Sequence, residues 1–183
     1  MRTDRLRAAY QVEFQYTLFP LHPETPDEGL SLEQLFAGRS YDIDAAQARL
    51  TALMAEEGLP FGQRTMTYNS RLAQELAKWA ETQRGGEGVH DAMYRAYFVD
   101  GLNIALVDNL MTVVRQLVLP EDEAHDVLTS RLFQDAVDVD WRRCRSLGVT
   151  AVPTFVVGNK GIVGAQPYEA LETLVVEGGA LKR

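Results

Sequence analysis

The sequence predicts an α/β protein in which a long block of helices interrupts a small β-sheet. Apolar and polar residues alternate from Val12 to Phe19, with the two-residue period that is typical of a half-buried strand. Helical apolar spacing then prevails from residue 31 to residue 147. Two short strand-like segments, at residues 154–157 and 162–163, follow on either side of a glycine-containing turn. This order excludes a continuous parallel sheet of alternating strands and helices.

The chain begins with the end of a helix, one strand and a polar turn. Residues 4–10 predict the helix end, and Pro20 ends the strand because proline has no N–H for a ladder bond. A turn-rich segment at residues 22–29 comes next. Ser31 and Gln34 then have the spacing of a capping box, which predicts a short helix.

Apolar residues three and four positions apart predict the helices in the middle of the chain. The predicted segments are residues 43–54 before Gly58, 71–80 after a Ser70 cap, 89–99, 107–118 before Pro120, 121–128 and 131–147. The last segment places Cys144 on one face with Phe133, Val137 and Trp141. A final helix begins at Pro167, since proline suits the first turn of a helix.

The composition is that of a globular chain without a nucleic-acid signature. The 183 residues are 46% hydrophobic and 24% charged, which is enough for a full core. The formal net charge is −8 and the sequence has no dense basic run, so nucleic acid is not an expected partner. The sequence also has no long apolar stretch for a signal peptide or a membrane span, and we expect a cytoplasmic protein.

Cysteine and histidine usage argues against internal disulfide and metal chemistry. The single cysteine, Cys144, cannot form an internal disulfide. His22, His90 and His125 do not have the spacing of zinc ligands, so we expect no metal site and no resident cofactor. Cys144 lies on an apolar face, which favours a buried, unreactive thiol over a redox thiol.

Pro153 lies in the most informative segment, residues 148–157. A proline is tolerated at the first position of a strand, where its missing N–H costs no ladder bond. The bond from Val152 to Pro153 is also a candidate for a cis peptide. Pro153 therefore either simply begins a strand or forms a cis-proline loop, and the flanking residues 148–150 and 154–155 favour the loop.

These features together resemble the DsbA family of thioredoxin-fold proteins, and within it the FrnE-like, cytoplasmic branch. The matching segments are residues 19–23 (FPLHP), 62–73 (GQRTMTYNSRLA), 96–98 (AYF), 148–155 (GVTAVPTF) and 164–168 (GAQPY). The resemblance covers about residues 10–175. It implies a thioredoxin-like sheet that is interrupted by a large all-helical insertion at residues 31–147. Residues 1–30 and 148–183 would form the two thioredoxin-like parts.

The resemblance implies a thiol-disulfide oxidoreductase. Family members carry a Cys-x-x-Cys pair at the start of their first helix, where the helix dipole lowers the thiol pKa. The cis-proline loop faces that pair and holds an extended peptide through backbone groups, here those of Val152. The implied substrate-binding residues are Ala151, Val152, Pro153 and Thr154. His22, in a proline-flanked loop, either belongs to the same active-site face or only packs its loop.

The redox pair itself is missing from this sequence, so no catalytic residue is assigned and no dithiol activity is expected. In the family, a first strand and the cysteine pair precede a segment like residues 2–10. That strand would lie between the strands at residues 12–19 and 154–157, so we expect the first β-strand to be absent and the sheet to be open. Three explanations remain: a start codon placed too late, a gap closed by dimerisation or strand exchange, and an open monomer. An open monomer leaves unpaired groups that cost about 1–3 kcal/mol each.

The expected partners depend on which function the chain has. An oxidoreductase of this family takes a peptide or protein substrate with a thiol or a disulfide. A glutathione-dependent transferase or isomerase of the kappa and 2-hydroxychromene-2-carboxylate isomerase type would instead keep a glutathione site at Val152 and Pro153. A non-catalytic peptide-binding module would keep the same loop for a partner. In addition, a homodimer would cover the open sheet.

Overall fold

The computed structural model describes residues 2–183, which form two compact units. Unit 1 contains the residues up to Phe19 and those from Asp140 to Arg183, and unit 2 contains Pro20–Val139. The sequence analysis instead divides the chain after residues 30 and 147.

Hydrogen bonds explain where the units begin and end. The Asn69 side chain donates to the carbonyl oxygens of Pro23 and Thr25, at 3.2 and 2.8 Å, and so holds the turn after Pro20 within unit 2. The Asp140 carboxylate accepts from the backbone N–H of Leu18 at 2.9 Å, which ties the second half of the helix Gln134–Ser146 to unit 1.

Helices account for most of the regular structure. They are α1 Arg2–Ala9, α2 Leu32–Leu35, α3 Ile43–Glu56, α4 Arg71–Ala80, α5 Val89–Tyr94, α6 Val107–Gln116, α7 Glu121–Ser130, α8 Gln134–Ser146 and α9 Tyr168–Glu177. A 3-10 turn at Gly86–Gly88 precedes α5, and a π-helical turn at Arg95–Val99 continues it. These helices confirm the helical segments that the apolar spacing predicts.

The strands are short and form two separate antiparallel pairs. In unit 2, β1 (Leu30–Ser31) pairs with β2 (Met66–Thr67), a pair that the sequence pattern does not predict. In unit 1, β3 (Thr154–Val157) and β4 (Lys160–Val163) form the predicted hairpin, with Thr154 opposite Val163 and Val157 opposite Lys160.

Three helices of unit 2 bury their apolar faces against each other. Each of α4, α6 and α7 has apolar residues at helical spacing, which gives the helix one buried face. Their shared core includes Leu76, Trp79, Leu110, Val114 and Leu128, each at most 1% exposed. Burying an aliphatic side chain of this kind stabilises the fold by about 1.5–3 kcal/mol.

The helix caps agree with the sequence at one site and differ at another. The capping box is confirmed, because Gln34 N–H donates to Ser31 Oγ at 3.1 Å and Ser31 N–H donates to Gln34 Oε1 at 2.8 Å. Ser70 occupies the N-cap position of α4, but its hydroxyl makes no capping bond. Its near-helical backbone turns the hydroxyl toward Gln74, and Asn69 Oδ1 instead accepts from Arg71 N–H at 2.9 Å.

A buried carboxylate joins α4 to the turn between α7 and α8. Glu75 is fully buried, and Arg71 Nε donates to its Oε1 at 2.8 Å. Arg131 contacts both carboxylate oxygens at 2.8 Å and adopts a left-handed backbone conformation, with φ +57°, at the end of α7. Arg71 also donates to Asp138 at 2.7 Å. Two guanidinium groups thus compensate the one carboxylate that has no access to water.

Unit 1 has its own small core beneath the hairpin. Leu6 of α1, Tyr10, and Leu171 and Val175 of α9 are buried together, and Phe155 of β3 packs against them. The Tyr10 hydroxyl donates to the Glu172 carboxylate at 2.9 Å. The chain end is held by the same core, since Tyr10 forms an isolated bridge with Lys182 and Gln11 N–H donates to the carbonyl of Leu181.

The predicted strand from Val12 to Phe19 does not form. Within residues 2–183, the backbone of this segment pairs with no neighbouring strand, and β3 pairs only with β4. An alternating apolar pattern prepares one face of a strand for burial, but the strand also needs a hydrogen-bonded neighbour. Among residues 2–183, no strand serves as this neighbour.

We predict that Glu75→Gln lowers the free energy of unfolding by about 3 kcal/mol, because it leaves Arg71 and Arg131 without a compensating buried charge. This value is at the lower end of the range for breaking a buried ion pair, because the Arg131 side chain is 43% exposed. Urea unfolding followed by circular dichroism measures it. The control is Glu121→Gln, in an exposed pair with Arg115, which should cost less than about 1 kcal/mol. Equal losses in both variants would contradict the assigned role of Glu75.

Candidate functional site

The loop that precedes β3 is held at both of its ends. The peptide bond between Val152 and Pro153 is cis. The Thr154 hydroxyl donates to the carbonyl of Ala151 at 2.6 Å, and Gly164 N–H donates to the carbonyl of Pro153 at 2.7 Å. The four predicted substrate-binding residues of unit 1 thus form one ordered turn at the start of the hairpin.

Val152 presents the open edge of this turn. Its side chain is 46% exposed, and within residues 2–183 its N–H and C=O make no hydrogen bond. One backbone donor and one backbone acceptor can pair with an extended peptide. The residues from Ala151 to Thr154 include no acid, base or nucleophile stronger than a hydroxyl, so the turn can hold a peptide but supplies no group for proton transfer.

Cys144 lies on α8 in a setting that keeps its thiol protonated. The side chain is 5% exposed, and its Sγ lies 3.5 Å from the carbonyl oxygen of Leu18. Burial raises the pKa of the Cys144 thiol, and the negative charge of Asp140 raises it further, against a smaller opposing effect of Arg143. Because the thiolate is the nucleophilic form, this geometry supports the interpretation of Cys144 as a buried, unreactive side chain.

His22 belongs to unit 2, whereas the other four predicted site residues belong to unit 1. Its backbone is left-handed, with φ +53°, and its carbonyl accepts from Thr25 N–H at 3.1 Å. Burial lowers the pKa of His22, and the positive charges of Arg39 and Arg64 lower it further. The imidazole is therefore neutral at pH 7.

Asn69 is the residue that holds the His22 loop in place, and the sequence pattern does not reveal this role. Its amide nitrogen donates to two carbonyls of the loop and its amide oxygen caps α4. An asparagine immediately before a predicted helix is the available signal, because asparagine is a preferred capping residue.

A groove of about 430 Å³ opens in unit 1 between residues 11–15 and β3. Helices α1 and α9 contribute Leu6, Leu171, Leu174 and Val175 to its apolar lining, and β3 contributes Phe155, Val156 and Val157. The sequence analysis expects a gap in the sheet in this region, but it does not predict which residues line the groove. They come from segments far apart in the chain, so spacing alone does not bring them together.

The described residues were also searched for metal-ligand clusters and for membrane-spanning helices. Among residues 2–183, no group of three or more His, Cys, Asp or Glu side chains is arranged to hold a metal ion. None of the helices in this range combines the length and the apolar character that crossing a bilayer requires.

Comparison with known proteins identifies one family. The model of the family described as DSBA-like thioredoxin domain matches residues 1–176. The crystal structure of a "putative protein disulfide isomerase" from Nitrosomonas europaea is similar, with a TM-score of 0.60 and 16% sequence identity, and the match covers 84% of this chain and 77% of that chain. A search of curated proteins finds no significant match. At this identity the structural likeness concerns the fold.

We predict that His22→Asn weakens the dependence of stability on acid pH. The pKa of His22 is lower in the folded protein than its ordinary value of 6.5. The unfolded chain therefore takes up the proton first, and the free energy of unfolding falls as the pH drops below 6.5. Asparagine tolerates the left-handed backbone and has no such proton.

Urea unfolding at pH 7 and pH 5 measures this effect. His22→Asn should lose less stability than the wild type between the two pH values. His125→Asn, at an exposed position of α7, is the matched control and should behave like the wild type. A pH dependence that is unchanged in His22→Asn would show that the His22 environment is not as described.

Proposed function

Because this chain belongs to the family of DSBA-like thioredoxin domains, we propose that it is the substrate-holding part of a thiol-disulfide oxidoreductase of the FrnE-like branch. The observation that carries the proposal is the turn at Val152, whose exposed backbone donor and acceptor have no partner within residues 2–183. The substrate is a peptide or protein that bears a thiol or a disulfide.

A bound peptide would lie extended beside Val152. The Val152 N–H would donate to a peptide carbonyl, and the Val152 carbonyl would accept from a peptide N–H. Each such bond contributes about 0.5–1.5 kcal/mol net, so two bonds give weak and short-lived binding. Weak binding suits an oxidoreductase that has to release each product.

Disulfide exchange needs more than these residues supply. A thiolate attacks one sulfur of the substrate disulfide, and a second thiol resolves the mixed disulfide that results. Cys144 is the only cysteine among the 183 residues, and its thiol is buried with a raised pKa. We therefore propose that residues 1–183 hold the substrate and have no dithiol activity of their own.

Glutathione is the ligand of the alternative function, that of a transferase or isomerase. It would use the same Val152 groups, because it is itself a short peptide with backbone-like amides. The binding experiment below therefore compares glutathione with a longer peptide.

We predict that the 183-residue protein does not accelerate the reduction of insulin by dithiothreitol. The physical reason is the lack of a second thiol and of a populated thiolate at Cys144. Turbidity of the precipitating insulin chains measures the rate, and Cys144→Ser should give the same rate as the wild type. Acceleration that disappears in Cys144→Ser would overturn the assignment of Cys144 as unreactive.

We predict that Val152→Pro weakens binding of an extended nine-residue peptide with one cysteine by up to about tenfold, because proline removes the N–H donor and with it one of the two bonds. Val152→Ala keeps both backbone groups and should bind the peptide with less than about a threefold change in affinity. Fluorescence anisotropy of the labelled peptide measures binding, and circular dichroism confirms folding of both variants.

A thermal-shift experiment on the wild-type protein compares the two ligands. A shift with the peptide but not with glutathione supports the oxidoreductase function, and a larger shift with glutathione favours the transferase or isomerase. Undiminished peptide binding by a folded Val152→Pro protein would contradict the proposed platform.

A further inference from the structure

Arg64 lies over two aromatic rings in unit 2. Its guanidinium carbon is 5.2 Å from the centroid of the Tyr97 ring and 5.5 Å from that of the Phe98 ring. Both rings belong to the π-helical turn at Arg95–Val99. At these distances the negative faces of the rings attract the cation. Because π-helical turns are frequent at functional sites, a charged group held above one is a candidate binding site.

Two hydrogen bonds fix the segment that carries Arg64. Gly62 N–H donates to the carbonyl of Phe98 at 2.7 Å. Arg64 N–H donates to Oε1 of Gln47, in α3, at 2.9 Å. A Cβ atom at position 62 would lie only 2.9–3.0 Å from the carbonyl oxygens of Val99 and Phe98, so this close approach requires glycine. The local sequence therefore holds Arg64 above the aromatic turn.

The Arg64 guanidinium has hydrogen-bonding capacity that the described residues do not use. Its Nε is buried and has no hydrogen-bond partner within residues 2–183. The terminal nitrogens are not buried, and none of the described residues accepts a bond from them or forms an ion pair with them. By contrast, Arg71 and Arg131 both pair with a carboxylate. A fixed guanidinium whose unpaired N–H groups are open to solvent is suited to an external anion.

Arg39 adds a second positive charge to the same region. It is exposed, and within residues 2–183 it forms no salt bridge. The rings of Phe36 and Tyr41 stack at 4.1 Å between centroids and close the turn that carries it. The charges of Arg39 and Arg64 both lower the pKa of His22, and no carboxylate is among the described charges that act on this imidazole. The three side chains therefore share a locally positive field.

Nearby carboxylates decide which kind of anion this field favours. A pocket of about 390 Å³ is lined by Arg64 and by three acidic residues, Glu33, Asp42 and Asp44. None of the three forms a salt bridge with Arg64, and Asp42 instead caps α3 by accepting from Ala45 N–H at 2.9 Å. These charges, and the formal net charge of −8, oppose a dianion such as phosphate more strongly than a singly charged carboxylate.

Aromatic side chains give the same region an apolar surface. Phe61 stacks on Phe98 at 5.8 Å between ring centroids, and Tyr94 packs against Phe98 at 5.2 Å. All three rings are half-buried. An inorganic ion would make no use of this surface, whereas the apolar body of an organic anion would cover part of it and gain from the burial.

We propose that Arg64 and Arg39, beside His22, bind the carboxylate group of an organic acid. The terminal nitrogens of Arg64 donate to the carboxylate oxygens, and Arg39 supplies the second positive charge. The carboxylate belongs either to an acidic side chain of a peptide or to a free organic acid, since both present the same group. This site lies in unit 2 and goes beyond the proposed function, which concerns the turn at Val152.

The first test titrates the 183-residue protein with the peptide acetyl-Glu-Phe-Glu-amide. Chemical shifts of the Arg64 amide and of the His22 ring measure binding by NMR. The same peptide with glutamine in place of glutamate keeps the shape and loses the charges, so it should bind at least about tenfold more weakly. Equal binding of the two peptides, or no binding of the acidic one, would overturn the proposal.

Two further probes distinguish the source of the carboxylate and its chemistry. Phenylacetate represents a free organic acid. Tighter binding of phenylacetate than of the acidic peptide would support a free acid as the ligand, and weaker binding would support an acidic side chain. Inorganic phosphate should bind more weakly than either of them. Phosphate binding that equals theirs would show a general anion site, and the assignment to a carboxylate would be wrong.

Substitution of Arg64 tests its role directly. Arg64→Gln should weaken binding of the acidic peptide at least about tenfold, and Arg64→Lys, which keeps the charge but loses the planar fork, about threefold. Arg84→Gln is the matched control, because Arg84 is an exposed arginine of unit 2 that forms no salt bridge within residues 2–183. It should bind as the wild type does. Unchanged binding by Arg64→Gln that circular dichroism shows to be folded would overturn the proposal.

His22 provides a readout that needs only the wild-type protein. A bound carboxylate offsets the charges of Arg39 and Arg64, so saturation with the acidic peptide should raise the pKa of His22. NMR titration of the imidazole measures it, and an unchanged pKa would contradict the site. Folded Val152→Pro should show the same rise as the wild type. Failure of the proposed function at Val152 and failure of this site are therefore seen independently.

Discussion

Extended backbone has to find hydrogen-bond partners, and in unit 1 this constraint decides what each segment becomes. Residues 154–157 and 160–163 satisfy half of their groups in a hairpin, while residues 13–15 have no neighbour and remain irregular. The apolar faces of α1 and α9 still pack beneath both segments. Unit 1 therefore has a packed core, but residues 11–15 and β3 are not joined by hydrogen bonds, and the groove lies between these two segments.

Peptide binding and sulfur chemistry have different physical requirements, and under the proposed function residues 1–183 serve the first. A peptide platform needs an ordered turn with unpaired backbone groups, which the hydrogen bonds around Ala151 and Pro153 create. A nucleophilic thiol needs exposure and a lowered pKa, and Cys144 has neither. The proposed function therefore assigns substrate holding to the turn at residues 151–154 and no redox role to Cys144.

The sequence predicts what depends on local pattern and misses what depends on distant neighbours. The capping box at Ser31 and the hairpin after Pro153 are determined by residues close in the chain, and both are confirmed. The alternation after Val12 predicts a strand that does not form, since the pattern cannot show whether a neighbour exists. For the same reason, the anchoring role of Asn69 and the lining of the groove become visible only in three dimensions.

The ion cluster at Glu75 has a consequence for how homologous sequences can diverge. A carboxylate without access to water, shared by Arg71 and Arg131, makes the three positions interdependent. Replacing Glu75 alone leaves two arginines without their shared carboxylate, whereas an apolar trio of similar volume would be as stable as the ionic one. Loss of Glu75 is therefore tolerated best together with changes at Arg71 and Arg131, and we expect these three positions to covary among homologous sequences.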